Sequence, residues 1–82
     1  MATDRIHIHP QIMLGKPVVR GTRITVELIL RRLGEGASHA EILDMYPTLS
    51  LDDIRAAATY AADALAHEDT ISLEIPPQMI GG

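Results

Sequence analysis

Three helix-start signals, each followed by an apolar face and a stop, constrain this chain more than any other feature. Thr25 precedes Val26, Ile29, Leu30 and Leu33, which fall at i, i+3, i+4 and i+7 and therefore share one helical face. Gly34 and Gly36 end that run. Ser38-His39-Ala40-Glu41 spells a capping box, in which the serine oxygen accepts a backbone N–H while the glutamate reaches back. Ile42, Leu43 and Tyr46 supply the buried side of this second helix, and Pro47 closes it. Ser50-Leu51-Asp52-Asp53 repeats the start signal for a longer third helix, predicted to bury Leu51, Ile54, Ala57, Ala58, Ala61 and Leu65. The small alanines on that face allow close helix approach.

Ahead of the helices, Arg5-Ile6-His7-Ile8-His9 alternates and ends at Pro10, which predicts a strand with Ile6 and Ile8 on the buried face. Gly15-Lys16-Pro17 is turn chemistry, and Val18-Val19 begins a second extended run, so the two segments predict a small β-hairpin. Gly21 is expected to take a backbone conformation closed to other residues, turning the chain toward the first helix. The expected fold class is mainly α: short N-terminal β-strands, then a three-helix bundle, then a short C-terminal strand or tail. Residues 1–66 form the strand-plus-helix unit. Residues 67–82 form the tail, in which Thr70-Ile71-Ser72-Leu73-Glu74-Ile75 alternates before Pro76-Pro77.

Eighty-two residues without Phe or Trp leave a small aliphatic interior, so self-association into a homodimer is expected. Cysteine is absent, which removes disulfides and thiolate metal sites. Neither a secretory leader nor a membrane-spanning run is visible, and a cytoplasmic location is the expectation. His7 and His9 share a strand face but find no convincing third ligand, so no metal or other cofactor is expected. The residues offer no nucleophile or acid–base pair in a suggestive setting, and no enzymatic activity is expected.

Charge is divided unevenly. Residues 1–32 hold Arg5, Lys16, Arg20, Arg23, Arg31 and Arg32 against Asp4 and Glu27, while residues 33–82 hold Arg55 against nine carboxylates. A basic front end can meet phosphate or a carboxylate-lined cleft, and the acidic remainder resists both.

His9-Pro10, Gly15-Lys16-Pro17, Arg20-Gly21-Thr22-Arg23-Ile24, Val26, Gly36, Tyr46-Pro47, Leu49, Asp53-Ile54 and Tyr60-Ala61 together resemble the prokaryotic domain-of-unknown-function family 433. The resemblance covers about residues 5–66. It implies a homeodomain-like helix-turn-helix and an antitoxin of the VapB kind, paired with a PIN-type ribonuclease toxin and binding its own operator DNA.

Weighed against the residues, the third helix is a poor reader of bases. It opens on Asp52 and Asp53, which favour the positive end of a helix, and Arg55 is its one persuasive base contact. Lys16, Arg20, Thr22, Arg23, Arg31, Arg32 and Arg55 are the candidate nucleic-acid contacts. One competing expectation is that Arg20 or Arg23 instead pairs with Asp52 or Asp53. For a toxin whose metal is held by clustered carboxylates, Arg20 or Arg23 would supply the opposing charge, and Ile71, Leu73 and Ile75 the apolar grip. The alternative reading is a protein-interaction adaptor without DNA binding.

Overall fold

In the computed structural model, which describes residues 2–66, two short strands precede three helices, as the caps predict. A 3₁₀ turn at Ala2–Arg5 leads into β1 (Ile6–His7), which pairs antiparallel with β2 (Val18–Val19). Ile6 lies opposite Val19 and His7 opposite Val18. Helices α1 (Val26–Gly34), α2 (His39–Met45) and α3 (Leu51–Ala66) follow.

Each helix begins where its cap dictates. The Thr25 hydroxyl accepts the Leu28 N–H at 3.0 Å. At α2 the Glu41 N–H donates to Ser38 Oγ at 3.1 Å and the Ser38 N–H donates to Glu41 Oε1 at 2.7 Å, closing the box. At α3 the same reciprocal pair forms between Ser50 and Asp53, with distances of 3.3 and 2.9 Å. Helix α1 stops in a glycine-dependent motif: Gly36 has φ +96°, the Ala37 N–H reaches the Arg32 carbonyl and the Gly36 N–H reaches that of Leu33.

One isoleucine from each helix, Ile29, Ile42 and Ile54, is excluded from water, and Ile6, Val19, Val26, Leu49 and Ala57 pack around them. The strands therefore serve as a lid on the helical core rather than as a sheet in their own right.

Two sequence expectations need correction. The first strand ends at His7, because the Ile12 N–H bonds the His9 carbonyl and turns the chain. Alternation no longer applies beyond that point, and Ile8 is 53% exposed instead of sharing the buried face of Ile6. On α3 the expected face is rotated: Leu51, Ala58 and Leu65 are exposed, whereas Asp53 and Ala56 are buried beside Ile54 and Ala57. The opening 3₁₀ turn packs along α3 and covers a side of the helix that a three-helix bundle alone would leave in water.

The loop between the strands is unusual. Met13, Leu14 and Gly15 have φ of 49°, 59° and 81°, three successive left-handed residues of which two carry side chains. Each non-glycine residue there costs on the order of 1 kcal/mol. Leu14 gains no compensating burial, being 92% exposed.

Candidate functional site

The basic front end is built on the tight connection between β2 and α1. Val19 donates its N–H to the Ile24 carbonyl at 2.9 Å and Val26 donates to the Pro17 carbonyl at 2.9 Å, so residues 20–23 form a turn projecting from a short ladder. Gly21 has the φ of +81° expected of it, and a Cβ there would meet nothing, so the demand on this glycine is purely conformational. The Thr22 hydroxyl donates to the Val19 carbonyl at 2.8 Å and accepts the Ile24 N–H at 3.0 Å. Its side chain is thus committed to shaping the turn, which weakens its candidacy as a phosphate contact.

The cations predicted to converge behave differently from one another. Arg20 donates Nε to the Asp4 carbonyl at 2.7 Å, and its N–H to the Arg5 carbonyl, which pins the turn to the opening 3₁₀ segment. Lys16 and Arg31 both pair with Glu27, at 3.1 and 3.0 Å. Those two hydrogen bonds, Arg31's first, hold the Glu27 carboxyl below the usual carboxylate range. Arg32 pairs with Glu35 at 2.9 Å and approaches the Tyr46 hydroxyl at 3.4 Å; the tyrosine contact, then the glutamate, raises its already high pKa. Arg23 and Arg55 are exposed and make no ion pair among the described residues.

The expected single surface of free guanidinium groups is therefore reduced. Three of its members, Lys16, Arg31 and Arg32, face carboxylates of their own chain. Arg23 keeps its charge available at the tip of the turn, where it joins His7, Ile12, Gly21 and Thr22 around an open groove of about 390 Å³. His7 stacks loosely on His9, with ring centroids 6.0 Å apart. A group of that shape and charge suits a carboxylate or a phosphate entering edge-on.

The expected pairing of Arg20 or Arg23 with the acids of α3 does not form. Arg5 takes that place, bonding Asp53 Oδ1 at 3.1 Å and lying 3.5 Å from Asp52. Sequence reasoning counted Arg5 only as charge; its place next to β1, which must fold back across α3, was the available signal. Asp53 thereby caps the helix and anchors the N-terminal segment at once. The start of α3 is occupied with internal bonds, which leaves Arg55 as the group there that faces outward with an unused cation. Ile71, Leu73 and Ile75 lie outside the described residues.

A second, larger groove of about 510 Å³ runs between α1 and the end of α3, lined by Pro17, Val26, Leu30, Tyr60, Ala61 and Leu65, with Glu27 and Arg31 at its rim. Among the described residues no cluster of ligating side chains could hold a metal ion, and no helix is long and apolar enough to cross a membrane.

Residues 6–61 match the family described as a protein of unknown function, DUF433. The chain belongs to the DUF433 family. The fold agrees: a crystal structure of a DUF433 member from Anabaena variabilis ATCC 29413 is similar with a TM-score of 0.72 at 32% identity, covering 80% of this chain and 65% of that one. An uncharacterized protein of Sinorhizobium fredii (strain NBRC 101917 / NGR234), y4eO, is 40% identical over 60 residues, covering 73% of this chain. This DUF433 chain spans about a quarter of that relative's length, 27%, and a little under two thirds of the Anabaena protein's.

Proposed function

We propose that this DUF433 chain is the antitoxin-like member of a two-protein pair, a homodimer that binds a PIN-type ribonuclease and silences it with the arginines of the residue 20–23 turn. The observation that supports this reading best is the state of Arg23. It stands on a hydrogen-bonded, glycine-dependent turn, beside an open groove, with no internal counter-ion among the described residues. The backbone that carries it is fixed before binding, and bidentate geometry suits a guanidinium to a carboxylate pair. Carboxylates that otherwise hold a metal repel one another, so a fixed cation among them is favourable.

Operator binding is the second part of the proposal, carried by Arg20, Arg23 and Arg55. A competing reading, a protein-binding adaptor that does not touch DNA, draws support from the start of α3. Asp53 there is buried and bonded to Arg5, and the exposed Asp52 would face a phosphate-lined groove if α3 entered DNA.

Co-expression with the product of the adjacent gene, assayed as a ribonuclease, tests the partner reading. The wild-type chain is expected to co-purify and inhibit, and Arg23→Ala to lose at least tenfold in inhibition, about 1.4 kcal/mol or more. An unaltered Arg23→Ala variant would refute the role of the turn. Gel shifts on the chain's own upstream DNA separate the two readings: a shift at low salt that fades steeply as salt rises supports operator binding, and its absence leaves the adaptor.

A further inference from the structure

The groove beside Arg23 has a second polar wall to which the partner reading gives no role. His7 lines it together with Ile12, Gly21 and Thr22, and no carboxylate among the described residues does so. The backbone places both polar groups. His7 is held by its pairing with Val18, and the turn that bears Arg23 is tied to the same segment by the Arg20 N–H on the Arg5 carbonyl at 2.7 Å. The His7 ring is half-buried and makes no hydrogen bond among the described residues. His9 differs: its Nδ1 accepts the Gln11 N–H at 3.1 Å, so a proton added there costs that bond. Of the two stacked rings, His7 is the one that gains a proton without losing a contact.

We propose that an anionic partner held by Arg23 also contacts the His7 imidazolium, so that the groove takes up a proton as it binds. An imidazole changes charge between about pH 5 and pH 8. Beside Arg23 alone a second positive charge is opposed, whereas a dianion shared by the two groups reverses that sign and favours the imidazolium. By linkage, affinity for the anion then rises as the pH falls through the range in which His7 titrates. The charged groups on the elements packed against β1 are Asp4 and Arg5 in the opening turn, Lys16 and Arg20 flanking β2, and Asp52, Asp53 and Arg55 on α3. None of them lines the groove, and Arg5 is itself bonded to the two acids of α3. The role of His7 rests on Arg23 being the carboxylate contact of the proposed function.

Oxalate, whose two carboxylates stay ionised across this range, serves as the probe, and NMR of the histidine rings in the full chain follows both protonation and binding. The His7 titration midpoint should rise by about half a pH unit in saturating oxalate relative to chloride at equal ionic strength, and the oxalate dissociation constant should fall about threefold between about pH 8 and about pH 5.5. His7→Gln, which keeps a polar side chain but does not titrate, should flatten that pH dependence, and His9→Gln should keep it. If His7→Gln disturbs the strand pair, the wild-type His7 midpoint decides alone. A midpoint unmoved by oxalate, or a pH dependence that survives His7→Gln, would overturn the proposal and leave Arg23 its role. An Arg23→Ala variant that binds oxalate as wild type does would overturn the Arg23 contact together with it. Sulfate bound more tightly than oxalate would overturn the carboxylate assignment and point to a phosphate.

Discussion

Asp53 shows how a single side chain can be assigned by its surroundings. A carboxylate in the first turn of a helix is ordinarily an exposed partner of the helix dipole. Here it is 8% exposed, accepts the Ser50 N–H and receives the Arg5 guanidinium, joining the cap of α3 to the segment that covers it. Asp53→Ala strands the Ser50 N–H and leaves Arg5 with the exposed Asp52 alone. A loss of about 2 kcal/mol is expected in urea unfolding, of which the cap accounts for about half. Arg5→Ala should reproduce the remaining part, and a double variant no worse than Asp53→Ala would show that the two losses describe one contact. Arg23 is the opposite case: a residue with no structural duty among the described contacts, whose substitution is expected to spare stability.

At the scale of elements, the caps worked because capping is decided within four residues. Thr25, Ser38 and Ser50 begin their helices where the sequence places them, and α1 stops at the glycines, Gly36 taking a left-handed conformation. The face of α3 was less legible. Periodicity locates an apolar stripe only to within about a residue when alanine occupies most positions, because Ala is tolerated both inside and outside. The 3₁₀ turn at Ala2–Arg5 settled the matter by covering α3 on a second side. Ala56, 1% exposed, has no room for a larger group, so Ala56→Leu should cost about 1–3 kcal/mol. Ala58→Leu, on the exposed side, should change stability by less than about 0.5 kcal/mol. Thermal unfolding of the two variants checks the orientation of the helix; equal losses would contradict it.

Over the whole molecule, the contrast between a basic front and an acidic remainder is moderated by local pairing. Glu27 is the clearest instance, since it ties Lys16, in the loop between the strands, to Arg31 on α1. Its carboxyl is depressed by those bonds, so the stability it contributes is fully present above the ordinary carboxylate range and is lost as pH falls through its lowered value. Glu27→Gln should therefore unfold with a shallower acid-side dependence than wild type, the difference between the two being largest at neutral pH and closing as the pH falls below the ordinary carboxylate range. The contribution is small because all three groups are half-exposed and screened by salt. Parallel slopes in the two proteins would show that the bridge does not act on folding.

Membership of the DUF433 family was readable from its motif residues, and the order of strands and helices, the caps, the conformation of Gly21 and the helix stop at Gly36 were readable along the chain, because capping and turn chemistry depend on neighbours a few residues apart. Which cations stay available was not readable. Lys16 finds Glu27 eleven residues on, and Arg5 finds Asp53 forty-eight residues on. Charge counted along a sequence records how many guanidinium groups a region owns, whereas Coulomb attraction acts through space, and only folding determines which acid each one meets.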